Sequence, residues 1–333
     1  MILSTFRNNQ LTASFLLIFY TAVLHLPFFW QGRLATVSPD PGAAYLSQWL
    51  IDGADWNLWM AVLFPVVMLF VTGMAINQLA ARDHLGQQVT QLPGLFYILV
   101  ASFVAVFFFP HSIQLANLVL LFALFPFLRL YKNNNPQVPL FWTGWWLGIA
   151  FLTNRYFLIF LPAFVLSITV LTSLNFRRVL QMLAGWLAPL FLLSAYKYLS
   201  NDLEEFLAFQ FQGYGWPTTW LSEPRWTQLG LMALGIGLLW VLISYEANTK
   251  LLRTAGKKKL NIFYTLLLFT GFSLLLQPSL GASSAQIIAL PLGTILGVQF
   301  ARMSRSSGET WHLLILAVFT ALQLYPFFLR LGG

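Results

Sequence analysis

Within the run GWWLGIAFLTNRYFLIFLPAF, residues 144–164, the one charged side chain is Arg155. A guanidinium matches phosphate oxygens with parallel N–H bonds, so its sharpest chemistry is phosphate binding. The bland alternative is a side chain that reaches from apolar surroundings to polar headgroups along its aliphatic stem. Arg33, Lys197 and Arg225 could join Arg155, each with a weaker case. The stretch SPDPGAAYLSQWLIDGADW, residues 38–56, adds Asp40, Asp52 and Asp55, three of the ten acidic residues. The ordinary role for Asp40 is an N-cap or turn residue ahead of Gly42. His25 and His111 each stand alone, as hydrogen-bonding groups or as ligands. No His/Asp/Glu spacing makes a metal site, and neither a Gly-rich phosphate loop nor a serine triad is present. With no cysteine, thiolate chemistry and disulfides are excluded. No cofactor is implied, and a divalent metal is not indicated.

The elements that must position these groups are apolar helices. Of the 333 residues 58% are hydrophobic and 8% charged, whereas soluble domains carry about 25% charged residues. That composition predicts an all-α polytopic membrane protein. Each crossing needs roughly 20 apolar residues, which places spans near 11–30, 58–78, 93–109, 112–130, 139–153, 156–173, 179–199, 226–245, 260–277, 283–301 and 311–329. The first has little positive charge ahead of it and no small-residue cleavage site, so it reads as an uncleaved span. Gly235 and Gly237, in the eighth, read as small residues for helix packing.

The basic residues orient these eleven spans. With the N-terminus inside, thirteen of the eighteen Lys and Arg fall on the cytoplasmic side and five (Arg33, Arg155, Lys197, Arg225 and Arg330) outside. That is the positive-inside asymmetry, so the net charge of +8 reads as N-in, C-out topology rather than nucleic-acid binding. The Lys257-Lys258-Lys259 run reads as a topogenic cluster near anionic lipid. The chain reads as one transmembrane domain, 1–333, whose longest non-membrane stretches, about 31–57 and 200–225, face outward. In the first, Tyr45, Leu46, Trp49 and Leu50 share a helical face; in the second, Leu203, Phe206, Leu207 and Gln210 do. Both stretches predict short interfacial helices. Trp49, Trp56, Trp59, Trp216, Trp220 and Trp226 suit headgroup depth.

This layout resembles the GT-C superfamily of membrane glycosyltransferases over about residues 10–200. The likeness lies in Asp40-Pro41-Gly42-Ala43-Ala44-Tyr45 in the first outward loop, TGWWLGIAFLTNRYFLIFLPAFVL at 143–166, and Arg177-Arg178 with LAGWLAPLFLL behind it. Pro41 stands where that family usually keeps a second acid. The segment 174–193 also resembles an uncharacterised multispan family of Bacteroidota, which implies a bacterial inner membrane. The GT-C resemblance implies transfer of a sugar from a polyprenyl-phosphate-linked donor to a glycan, lipid or protein acceptor at the outer leaflet. Asp40 would then be the base, with Asp52 and Asp55 as second choices, because it follows Pro39 and precedes the interfacial helix. Arg155 would stabilise the departing phosphate, backed by Arg33, Lys197 and Arg225. Tyr45 and His111 would orient sugar or acceptor.

Two other classes stay open. One is an accessory subunit with partner subunits in an envelope complex. The other is a transporter or flippase for a lipid-linked solute, which intramembrane ionisable residues or broken helices would favour. Asn77, Asn117, Gln286, Gln299 and Gln323 are the main polar intrusions in the spans.

Overall fold

The computed structural model describes residues 2–8, 10–30, 40, 42–52, 58–133, 135–216, 225–250, 252–275, 277 and 282–331. Among these, every regular element is helical. The first group is α1 (Ile2–Phe6), α2 (Leu11–Trp30), α3 (Tyr45–Ser47), α4 (Leu58–Asp83) and α5 (Leu92–Ala101). Next come α6 (Ser112–Leu128), α7 (Gln137–Thr153), α8 (Phe160–Leu171), α9 (Phe176–Leu199) and α10 (Leu203–Phe211). The last are α11 (Arg225–Ile243), α12 (Tyr245–Lys250), α13 (Thr254–Leu275), α14 (Ala289–Arg302) and α15 (Arg305–Leu331). A helix lies at each position where the apolar pattern predicts a span. Among the described residues only three stretches, against the eleven spans expected, are long and apolar enough to cross a membrane by length and composition: Met60–Asp83, Phe176–Leu199 and Ser283–Arg302.

Of the helices at predicted spans, α5 is the shortest. It has 10 residues, all buried, and at 1.5 Å per residue rises only about 15 Å, half a bilayer core. The chain then leaves the α-helix at Ser102–Val104 and passes through a 3₁₀ turn, Ala105–Phe108. Irregular backbone at that depth is tolerated only where protein or water satisfies it. Side-chain amides do so: Gln286 Nε2 donates to Ala101 O (3.0 Å), Gln323 Nε2 to Phe103 O (3.3 Å) and Gln114 Nε2 to Phe107 O (2.8 Å). A second 3₁₀ segment, Ala282–Ile288, precedes α14 and packs beside the first. A broken helix that the apolar runs did not reveal is therefore present at the end of α5.

Close helix approaches hold the bundle together. A methyl at Gly293 or Gly297 of α14 would lie 2.4 Å from Tyr97 Cα or 2.3 Å from Pro93 Cα of α5. Between α7 and α9, a methyl at Gly144 would meet Met182 O at 2.0 Å and one at Gly185 would meet Phe141 O at 2.1 Å. Gly235 and Gly237 have nothing within 4 Å of that position, so the expected packing role is corrected: they face away from the bundle. Gly144→Ala is expected to destabilise by about 3 kcal/mol through overpacking. Gly235→Ala should instead gain up to about 1 kcal/mol of helix propensity. Thermal unfolding of the purified variants in detergent checks both, and equal effects would contradict this packing.

At the end of the bundle opposite the outward loops, Asp83 is buried and bonded to Lys259 Nζ (2.7 Å) and Arg82. Arg82 also donates to Phe125 O (2.9 Å). Lys259 thus ties α13 to α4, while Lys258 lies over the Tyr131 ring. Arg7 donates to Phe300 O (3.1 Å) and Met303 O (2.7 Å), covering the orphan carbonyls at the end of α14.

Candidate functional site

Residues from four separate loops meet at the end of the bundle that carries the stretches expected to face outward. Asp40 is the first knot. Its Oδ1 accepts from Gly42 N (3.0 Å), and its Oδ2 accepts from Ser112 N (2.8 Å) and Ser112 Oγ (2.6 Å). The carboxylate therefore caps α6 from 72 residues away, where its charge favours the positive end of the helix. The adjacent N-cap residue, His111, makes no side-chain cap of its own. His111 is fully buried, its Nδ1 3.8 Å from Asp40 Oδ2. Neither it nor Asp40 nor Arg155 is among the residues that line the two clefts described below.

Asn154 is the second knot. It ends α7 in extended backbone and pairs antiparallel with Ala43. Its Oδ1 accepts from Tyr156 N (3.1 Å), and its Nδ2 donates to Ser112 Oγ (2.7 Å). An amide, a hydroxyl and a carboxylate thus run in series: Asn154, Ser112, Asp40. Gly42 is required at this crossing, since a methyl at that position would meet Asn154 Nδ2 at 2.5 Å.

Arg155 is the third. Its side chain is 4% exposed, donates to Ala43 O and to Gln212 O (2.8 Å), and lies over the Phe209 ring at 4.9 Å. Tyr214 closes the same junction by donating to Arg155 O (2.8 Å). Burial holds the Tyr214 phenol above its usual range against the opposing pull of Arg155, so it stays a neutral donor. Gly213 turns the chain at φ +82°, a left-handed conformation that suits glycine.

The two predicted interfacial helices are present but pack on one another. Tyr45 and Phe206 meet edge to face at 5.2 Å. Gln210 Nε2 donates to Phe151 O (2.9 Å), and Gln210 Oε1 accepts from Tyr45 N (3.3 Å). Trp49 and Trp216 remain well exposed. Beside this pair lies an open cleft of about 470 Å³ lined by Tyr45, Gln48, Lys197, Asp202, Glu205 and Phe206, among others. Lys197 Nζ lies 4.9 Å over the Tyr45 ring and 3.1 Å from Asp202 Oδ2. Near Tyr214 is an apolar crevice of about 230 Å³, lined by Tyr156, Leu158, Ile159, Leu161 and Pro162 with Ser273.

The structure thus gathers Asp40, Tyr45, His111, Arg155 and Lys197 in one region. Arg225 begins α11 and is exposed; among the described residues no hydrogen bond or ion pair joins it to the others. Arg33 and Asp55 lie outside the described residues, as does the side chain of Asp52, whose backbone ends a π-helical turn over Gln48–Asp52. Ser112 and Asn154 went unnoticed in the sequence, and Gln210 was read only as part of a helical face. The available signals were a polar residue just after Pro110-His111 and one at the end of an apolar run. Among the described residues no group of three or more His, Asp or Glu could hold a metal ion. No family model, no curated protein and no solved structure matches the chain.

Proposed function

We propose that this chain is a GT-C-like membrane glycosyltransferase. In this reading about eleven helices cross a bacterial inner membrane, and a sugar passes from a polyprenyl-phosphate-linked donor to an acceptor at the outer leaflet. The observation that carries it is the convergence of the loop residues around Asp40 and Arg155 beside a charged, aromatic cleft and a separate apolar crevice. Such chemistry needs that combination: a base, a cation for phosphate and an apolar seat for a lipid tail. The orientation is supported by which loops touch. Asp40 reaches Ser112 and Arg155 reaches Gln212, all assigned outside. Asp83 reaches Lys259 and Arg7 reaches Met303, all assigned inside.

The acceptor hydroxyl would attack the anomeric carbon while the bond from that carbon to the phosphate oxygen breaks. Asp40 would take the hydroxyl proton through Oδ1, which accepts from Gly42 N, and the phosphate would leave with the bonding electrons. Arg155 spends donors on two carbonyls, so in this reading it positions the loops. Lys197, facing the cleft, is the first cation for the phosphate. Tyr45 orients the sugar under Lys197.

Reconstituted in vesicles with a polyprenyl-phosphate sugar, the chain is expected to release polyprenyl phosphate only when an acceptor is present. A charge-assisted hydrogen bond to phosphate is roughly twice as strong as a neutral one, so Lys197→Met should weaken polyprenyl phosphate binding about tenfold or more. Unchanged affinity in that variant would remove Lys197 from the donor site. A second reading, transport of a lipid-linked solute, is favoured by the buried 3₁₀ break before Phe109. Movement of the lipid-linked sugar across the vesicle without transfer would select it.

A further inference from the structure

The break in α5 gathers more buried oxygen than the surrounding protein satisfies. Ser102 Oγ, Gln114 Oε1, Asn117 Oδ1 and Gln286 Oε1 have no hydrogen-bond partner among the described residues, and each of these residues is at most 1% exposed. Hydrogen bonds tie them to one place. Asn117 Nδ2 donates to Gln286 O (3.3 Å), and Gln286 Nε2 donates to Ala101 O (3.0 Å), the carbonyl just before Ser102. Gln114, one turn before Asn117 on α6, donates to Phe107 O (2.8 Å) and Phe109 O (3.1 Å).

These bonds also fix which amide atom is which. Every amide nitrogen is engaged with a carbonyl, and a carbonyl cannot donate, so exchanging nitrogen for oxygen would set two acceptors against each other. The leftover atoms are three acceptor-only oxygens and one hydroxyl. Buried polar atoms of this kind are normally satisfied by protein, ordered water or an ion.

We propose that the break binds a small guest that offers protons or positive charge to these oxygens: water or a monovalent cation such as Na⁺. An anion would face only acceptors apart from one hydroxyl, and an apolar guest would leave all of them bare. The four ligands carry no carboxylate, which disfavours a divalent ion that must shed a tightly held hydration shell. A buried water bonds about three groups, as this set allows. This inference does not depend on the glycosyl-transfer reading.

Two measurements on the full chain in lipid nanodiscs test it. Thermal unfolding is followed in NaCl and in choline chloride at equal ionic strength. An experimental structure fine enough to show ordered water is examined between Ser102, Asn117 and Gln286. A saturable, Na⁺-specific rise in Tm, lost in Ser102→Ala, identifies the guest as the cation. Ser102→Ala keeps every amide-to-backbone bond, so it should fold. No Na⁺ effect together with a density peak within hydrogen-bond reach of at least two of the four oxygens identifies water. No Na⁺ effect and no such peak overturns the proposal.

Discussion

Asp40→Asn is expected to cut sugar transfer at least a hundredfold, because a positioned general base contributes about 10²–10⁴ in rate and an amide cannot accept the proton. The structure adds a cost that the sequence alone does not suggest. Asp40 caps α6 through Ser112 N and Oγ, and losing a charged cap should lower stability by about 0.5–2 kcal/mol. A fall in activity could then reflect a loosened helix end rather than a missing base. Ser112→Ala separates the two causes, since it removes the hydroxyl's bonds to Asp40 and Asn154 and leaves the carboxylate. Its stability should drop by a similar amount while transfer persists. Transfer rates and unfolding midpoints measured on both variants give the answer. If Asp40→Asn transfers at a near-normal rate, Asp40 is a cap and nothing more.

How much of this could be read in advance varies with the kind of interaction. The apolar runs locate helices closely: 11–30 against Leu11–Trp30, and 112–130 against Ser112–Leu128. Transfer free energy is a local property, so it survives in one dimension. The break in α5 does not, because Ser102–Phe109 is almost as apolar as the helix before it. What permits the break is amide donors from Gln286 and Gln323, which lie 185 and 220 residues from the carbonyls they reach. Those side chains stood out as polar intrusions, but nothing in their spacing named their targets.

The outward site divides in the same way. The sequence marked Asp40, Lys197 and Arg155 by their charge and predicted side of the membrane, and Tyr45 by its helical spacing. Their partners Ser112, Asn154 and Gln210 are ordinary polar residues until the fold brings them close. Arg155 shows the difference most clearly. An outward guanidinium in an apolar run suggests a phosphate ligand, yet its visible partners are two backbone carbonyls and an aromatic face. Only the folded loops reveal that it has this second use.

Arg155→Ala is accordingly expected to act first on stability. Removing the guanidinium leaves Ala43 O and Gln212 O without their donor and Phe209 without its cation. Hydrogen bonds to a charged group are worth about 1.5–3 kcal/mol each, which puts the loss of two at about 3–6 kcal/mol. Against a total of about 5–15 kcal/mol, that is a large part of the fold's margin. Arg155→Lys should recover only part of it, because a single ammonium on a flexible stem does not reproduce the planar fork that reaches two carbonyls. The readouts are the unfolding midpoint and the rate of proteolytic cutting within 40–56 and 200–216, the two segments that Arg155 joins. Both should change more for alanine than for lysine. A variant of normal stability with weakened polyprenyl phosphate binding would reverse the assignment: the two carbonyl bonds would be dispensable to the fold, and Arg155 would replace Lys197 as the cation on the phosphate.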